Sequence, residues 1–439
     1  MRVAIASLGC AKNLVDTELI LGRLGEAGYS VTDDPGEADV LIVNTCGFIR
    51  AAKEESLETV FSLAEAKGHG RCRALVLAGC LAQRYGEELW RELPEVDAVV
   101  GTGEYDRLPE ILERVRAGER VLAVGEAGYL PEEGTRLLTT GPATAYVKIA
   151  EGCDHRCAFC AIPLMRGRYR SRSLEAVVRE AEALVAGGTR EVILVAQDTT
   201  AYGHDRYGQL KLAELLQRLS QIDGLVWLRF LYGHPSHITE ELLAVMAREP
   251  KVVKYLDVPL QHASAAVLRR MGRPGNGDEF LKLLAWARAA VPGLVLRSTF
   301  IVGFPGETED DFEELLDFLR AARLDHAGFF AYSPEEGTAA VRLRGRVPSV
   351  VVEARLSRAV RLQRRISAER QRERRGGREL VLVEGTRPGA VEGRSAREAP
   401  EVDGRVVLRG QAPAGSLVWA RIERTTAYDA FGAIEEVAP

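Results

Sequence analysis

The run Cys153-Asp154-His155-Arg156-Cys157-Ala158-Phe159-Cys160 spaces three cysteines as C-x3-C-x2-C, with no fourth cysteine nearby. Three thiolates are one short of a closed tetrahedral zinc site. They are also one short of the four that hold a simple electron-transfer 4Fe-4S cluster. A cluster held by three keeps one iron open to an outside ligand, and there iron–sulfur chemistry becomes catalysis. The competing reading is a zinc knuckle completed by a distant ligand, with His155 at hand. Zinc motifs more often pair one C-x2-C with a second pair far along the chain.

Three further cysteines share a second pattern. Cys10 follows the apolar run Val3-Ala4-Ile5-Ala6, Cys46 follows Val40-Leu41-Ile42-Val43-Asn44, and Cys80 follows Ala74-Leu75-Val76-Leu77-Ala78-Gly79. Each run reads as a buried parallel strand, because it is short, aliphatic and followed by a helical pattern. All three thiols then lie at the carboxyl edge of one sheet, where open α/β folds bind ligands. A second three-cysteine metal site is the favoured expectation. Free cysteine is also among the most buried residue types, so three ordinary core cysteines are the alternative. Cys72, in the polar stretch Gly70-Arg71-Cys72-Arg73, lacks the pattern and is expected to ligate nothing.

The elements that must position these loops form three blocks. Residues 1–127 alternate strand and helix: strands 2–6, 40–44, 74–79 and 97–100, with helices at about 14–27, 51–67, 84–92 and 105–117. This predicts a doubly wound α/β domain, closed by a linker rich in Gly, Pro and Thr from Gly128 to Pro142. Residues 139–370 repeat the strand–helix unit, with strands near 145–150, 191–196, 226–231, 254–260, 294–302 and 327–332. Six parallel strands predict a partial β/α barrel whose first strand delivers the C-x3-C-x2-C loop. A helical, arginine-rich stretch runs from Ser349 to Arg375. Residues 376–439 change to short strands with turn signals, which predicts a small antiparallel β barrel of the oligonucleotide-binding or TRAM kind. The fold class is therefore α/β and multidomain.

At the carboxyl ends of the later barrel strands stand Gln197-Asp198-Thr199-Thr200, Tyr232-Gly233-His234-Pro235, Pro259-Leu260-Gln261-His262 and Gly303-Phe304-Pro305-Gly306-Glu307. Residues at that edge of a barrel read as binding or catalytic, so Gln197, Asp198, Gln261, Gly303 and Glu307 are expected around a cofactor pocket. Taken singly, each has a plainer role as a loop cap, and Glu307 as a charge near a helix N-terminus.

The 439 residues are long enough for two to four domains. No apolar run reaches the roughly 18 residues needed to span a bilayer, and no secretory leader is visible. Seven cysteines, six of them given to metal, point to a reducing cytoplasm rather than to disulfides. Charge is uneven: residues 1–138 carry a net −9, residues 353–379 carry +6, and the last sixty carry −2.

The C-x3-C-x2-C loop with its flanks Glu151-Gly152 and Ala161-Ile162-Pro163 resembles the radical S-adenosylmethionine (SAM) enzymes. Two three-cysteine sites plus a β-barrel tail resemble the methylthiotransferases of that superfamily, over essentially the whole chain. Within them the strings Ser7-Leu8-Gly9-Cys10-Ala11-Lys12-Asn13-Leu14-Val15-Asp16, Ala196-Gln197-Asp198-Thr199-Thr200 and Glu398-Ala399-Pro400-Glu401-Val402-Asp403-Gly404 are similar to the RimO-type branch. Ala11 departs from it, standing where proline is common.

The resemblance implies two 4Fe-4S clusters and S-adenosyl-L-methionine. The cluster on Cys153, Cys157 and Cys160 would split SAM into methionine and a 5′-deoxyadenosyl radical. That on Cys10, Cys46 and Cys80 would hold the sulfur that a second SAM methylates. The implied acceptor is the β-carbon of an aspartate in the twelfth protein of the small ribosomal subunit (S12), with an electron donor such as flavodoxin or ferredoxin. The MiaB-type modification of a tRNA adenosine is the alternative, and a non-catalytic iron–sulfur carrier is a third reading. An acidic N-terminal block and tail fit a basic protein better than RNA, so nucleic acid is not expected as substrate. Glu398, Glu401 and Asp403 are expected to form a protein-docking surface.

Overall fold

The computed structural model describes residues 1–69, 71–141 and 143–438. Gly70, Pro142 and Pro439 lie outside it, and with them the last residue of the expected linker and of the expected third domain. The runs Val40–Thr45 and Ala74–Gly79 are buried at every position, as parallel strands covered on both faces must be. They sit in the middle of a six-stranded parallel sheet. Its order is Ser30–Val31, Arg2–Ser7, Val40–Thr45, Ala74–Gly79, Ala98–Val100 and Val121–Ala123. The two outer strands carry too few residues to show an apolar period, and the sequence pattern did not reveal them. The chain turns back on itself between Arg2–Ser7 and Val40–Thr45, so the crevice at the carboxyl ends of those two strands is the switch point of the sheet.

The second block holds six parallel strands in two arcs of three. Thr144–Lys148, Glu191–Val195 and Trp227–Phe230 form one; Tyr255–Asp257, Val295–Val302 and His326–Ala331 form the other. A parallel bridge, Leu228 to Val252, links the arcs into a partial barrel. Side chains alternate as strand geometry demands. Ala145, Val147, Val192, Leu194, Leu228 and Phe230 pack outward under the helices. Tyr146, Ile193, Val195, Trp227 and Leu231 point into the lumen.

The third block is a closed five-stranded barrel of Arg378–Arg387, Ala390–Ser395, Val406–Arg409, Leu417–Thr425 and Ala430–Val437. It is not wholly antiparallel, contrary to expectation: the third and fifth strands pair in parallel. That pair closes the ring in the order first, second, third, fifth, fourth, a Greek-key closure that leaves no open edge. The helix Ser349–Arg372 ties this barrel to the core. Arg355 reaches Glu307 at 2.8 Å, Arg370 reaches Asp325 at 3.1 Å, and just beyond the helix Arg374 reaches Glu398 at 2.5 Å. No helix among the described residues is long and apolar enough to cross a membrane.

The small barrel plugs the amino end of the partial barrel. Arg394 pairs with Glu191 at 2.7 Å, and Glu191 also holds Arg229 at 2.9 Å. Asp403 accepts from the Tyr255 hydroxyl at 2.6 Å and faces Arg297 and His326. Two of the three tail acids are therefore not a docking surface. Glu398 is fully buried against Arg374 and Ser395, and the Asp403 side chain is 1% exposed; Glu401 alone is exposed, at φ +67°. Runs of acid in a sequence do not reveal buried arginines that arrive from elsewhere in the chain. Glu398→Lys is expected to cost about 3–5 kcal/mol, because it strands Arg374 beside a like charge. Glu401→Lys is expected to stay within about 0.5 kcal/mol. Thermal unfolding of the two variants checks this, and equal midpoints would refute the assigned burial.

Candidate functional site

Strand register sets the first triad. Ser7 stands opposite Asn44, and Asn44 opposite Ala78. Cys10, Cys46 and Cys80 follow those residues by three, two and two positions, so the three thiols share one level above neighbouring strands. Cys10 stands at the N-cap of the helix Ala11–Glu26 and Cys80 opens the helix Cys80–Glu92. A Cβ on Gly9, at φ +94°, would stand 2.8 Å from the Cys46 Cβ, so only glycine lets the loops close. Cys72 precedes the strand Ala74–Gly79, at the opposite edge of the sheet, and donates to the Ala74 carbonyl. About 20 Å of strand separates it from the triad.

The second triad follows the short strand Ala150–Glu151. A Cβ on Gly152, at φ +83°, would meet the Arg168 carbonyl oxygen at 2.0 Å, which fixes glycine ahead of Cys153. All six cysteines are free thiols. His155 does not turn toward the cysteines as a fourth ligand: its Nε2 lies 2.7 Å from Asp198, and its ring stacks on His234 at 4.1 Å. His237 reaches the same Asp198 oxygen at 3.0 Å.

The helix that follows the second triad packs on the first. Cys80 packs against Ala161 and Met165, on the segment that follows Cys160. Arg166, on the helix Ile162–Arg166, donates to Cys80 Sγ at 3.2 Å, to Asp16 at 2.5 Å and to Glu151 at 3.1 Å, and also to Asn13. Lys148 binds Glu151 at 2.5 Å and also Asp16, and Gln197 donates to Glu151 at 2.5 Å. This layer of two cations and two anions is sealed from water. Burial alone would raise the Glu151 carboxyl, but Arg166 and Lys148 hold it below the usual carboxylate range. Sequence reasoning missed Arg166 and Lys148, whose Asp16 partner lies 150 and 132 positions away.

The remaining expected pocket residues sort by what they touch. Asp198 gives one oxygen to Thr200 and the Ala201 N–H and the other to His155 and His237. Burial would raise its pKa, but these bonds outweigh that and hold it well below the carboxylate range. Burial, assisted by Arg273, pushes His234 down to about 3, so that ring is neutral. Gln197 keeps a buried, unpaired Oε1. Gln261 sits at φ +73°, bridged to Phe300. Glu307 is spent on the fold: it accepts from the Gly303 and Phe304 N–H groups at 2.7 and 3.2 Å and pairs with Arg355.

The donor set fits two iron–sulfur clusters. Each triad offers three thiol sulfurs, and the seventh cysteine, Cys72, stands at the opposite edge of the sheet. The orphaned Gln197 oxygen fits an ammonium-bearing ligand beside the C-x3-C-x2-C loop. Burial pushes the Cys153 thiol up to about 11 and those of Cys160 and Cys80 to about 12. At neutral pH these thiols keep their protons until metal displaces them. Cobalt(II) titration of the metal-free loop is therefore expected to release the protons of Cys153 and Cys160. Its affinity should rise by about two log units per pH unit from those two thiols. Affinity that ignores pH would mean they are already ionised.

Comparison with known proteins matches residues 147–319 to the radical SAM superfamily, residues 2–101 to the uncharacterized protein family UPF0004, and residues 376–434 to the TRAM domain. The "Ribosomal protein uS12 methylthiotransferase RimO" of Desulforudis audaxviator is 52% identical over 98% of this chain and 96% of its own length. That of Moorella thermoacetica is 52% identical over 99% of this chain and its entire length. The chain belongs to the RimO methylthiotransferase family. The RimO architecture also has distant likenesses. The radical SAM methyltransferase TsrM from Kitasatospora setae, solved with cobalamin and a [4Fe-4S] cluster, aligns at TM-score 0.56 and 16% identity over 94% of this chain and 80% of that one. OxsB, a cobalamin-dependent radical SAM enzyme, aligns at 0.51 and 15% over 77% of this chain and 54% of that one. Those two share the fold with this RimO chain.

Proposed function

We propose that this chain is a radical SAM methylthiotransferase acting on the β-carbon of an aspartate in the twelfth protein of the small ribosomal subunit. The observation that carries the reading is a pair of three-cysteine sites set against one buried ionic layer, with Arg166 touching the sulfur of one and standing on the helix that follows the other. Cys153, Cys157 and Cys160 would hold one 4Fe-4S cluster, which with SAM would supply one-electron radical chemistry, and Cys10, Cys46 and Cys80 would hold a second, which would supply the sulfur to be transferred. The chain's own residues do the rest. Gly152 and Gly9 let the ligand loops fold tightly, Arg166 supports a thiolate on Cys80, and Asp198 fixes the orientation of His155 and His237. Gln197 would offer its unpaired oxygen to SAM, and the ionic layer is itself closed to water.

A protein acceptor is favoured over a tRNA adenosine by the name that both relatives carry. An outside reductant such as flavodoxin or ferredoxin belongs to this proposal. The test is mass spectrometry of purified ribosomal protein and of tRNA after anaerobic reaction with the reconstituted enzyme. A methylthio group on the protein is expected; one on tRNA alone would replace the reading.

A further inference from the structure

Lys12 is a buried cation with no carboxylate in contact among the described residues. It follows Cys10 by two residues, is 7% exposed, and holds its Nζ 3.3 Å from the centroid of the Tyr232 ring. Among the described residues no carboxylate oxygen lies within 4.0 Å of that Nζ. The carboxylates of this region are committed elsewhere. Asp16 is held by Lys148 and Arg166, Glu151 by Lys148, Arg166 and Gln197, and Asp257 by Arg297 and the Tyr232 N–H. Burying a charge is costly, and with no resident carboxylate in contact the site is open to a carboxylate that comes and goes.

Tyr232 points to the same place. It lies just past the strand Trp227–Phe230 at φ +64°, a conformation costly for a bulky residue and typical of functional sites. The Asp257 carboxylate enforces that turn by accepting from the Tyr232 N–H at 2.9 Å. The strained turn delivers the ring to the Cys10 side. His234, two residues on, stacks with His155 on the Cys153 side. The cation and its aromatic wall therefore stand beside Cys10, on the strand end that carries His234 to the His155 side of the second loop.

We propose that Lys12 is the carboxylate anchor of the acceptor site, pairing with the side-chain carboxylate of the substrate aspartate. This rests on the reading above that the acceptor is an aspartate in a ribosomal protein. A charge-assisted pair of this kind is worth roughly a 10- to 150-fold change in affinity.

The test uses the reconstituted holoenzyme, with the twelfth ribosomal protein and its Asp→Asn form at the modified position as probes. Binding and kcat/KM are both read. The unmodified enzyme is expected to favour the aspartate form by roughly 10- to 150-fold. Lys12→Met is expected to erase that preference at unchanged iron content, and Lys12→Arg to restore part of it. Equal handling of the two forms by the unmodified enzyme overturns the proposal, and that arm needs no variant. A persisting preference in Lys12→Met, with lost iron or a shifted cluster spectrum, also overturns it and makes Lys12 a counter-charge for the metal at Cys10. Failure of the unmodified enzyme to modify the aspartate form at all sinks the functional reading first, and this anchor with it.

Discussion

A chain carrying Cys10→Ala, Cys46→Ala and Cys80→Ala together is expected to keep about half its iron and to go on forming 5′-deoxyadenosine from SAM, while methylthiolated product vanishes. The geometry separates the two losses. The three substituted residues hang from the carboxyl edge of the N-terminal sheet, and Cys153, Cys157 and Cys160 hang from the first strand region of the partial barrel. The reciprocal variant, with alanine at 153, 157 and 160, is expected to keep the other half of the iron and to form neither 5′-deoxyadenosine nor product. Iron content, chromatography of the nucleoside and mass spectrometry of the protein substrate read all three. Product from the first variant would remove the N-terminal triad from the sulfur role. Near-complete iron loss in either would mean that the sites load as one. Cys72→Ala, at the far edge of the sheet, should leave every readout unchanged.

Arg166→Leu carries the second large effect. Asp16, Glu151, Lys148 and Arg166 balance two negative charges against two positive ones, and each of these side chains is at most 5% exposed. Removing one cation strands a net negative charge in a dry interface, at a cost of about 3–5 kcal/mol. For blocks of this size that lowers the unfolding midpoint by on the order of 6–20 °C. Pairing it with Asp16→Leu restores neutrality and is expected to recover much of the loss, a non-additivity that a double-mutant cycle measures. A shift under about 2 °C for Arg166→Leu would mean that the layer contributes little. The pH sign follows from Glu151, whose folded carboxyl titrates below its unfolded value. Its contribution is complete above the unfolded value near 4.3 and is lost as pH falls through the folded one.

The parallel strands and the N-terminal cysteine loops could be read from the sequence because each rests on a local pattern: an unbroken aliphatic run, then one to three residues, then cysteine. The same locality explains what stayed hidden. Ser30–Val31 and Val121–Ala123 are too short to show a period. Arg166 reads as one basic residue after Pro163, and nothing nearby announces that it ends beside a cysteine 86 positions earlier. Glu398 and Asp403 misled for the converse reason. An acid near a proline and a glycine looks like a loop tip until Arg374 and Tyr255 close over it. Lys12 reads as one more residue of a motif, and only the fold shows that its charge is buried against an aromatic ring.

The plug at the amino end of the partial barrel has a consequence for how the chain is made. Glu191, Arg229, Asp257 and Tyr255 are essentially inaccessible in the finished protein, and Glu191 and Tyr255 find partners on Arg394 and Asp403. During synthesis these groups emerge long before those partners. At ~5–20 residues per second the segment after residue 375 takes roughly 3–13 s to appear. For that interval the half-barrel is a bowl with a charged, open floor, and it can close only once the terminus arrives. The C-terminal barrel is thus the last stone of the vault rather than an appendage. A truncated chain ending near Gly376 should be recovered as aggregate or degraded fragment, not as a smaller enzyme.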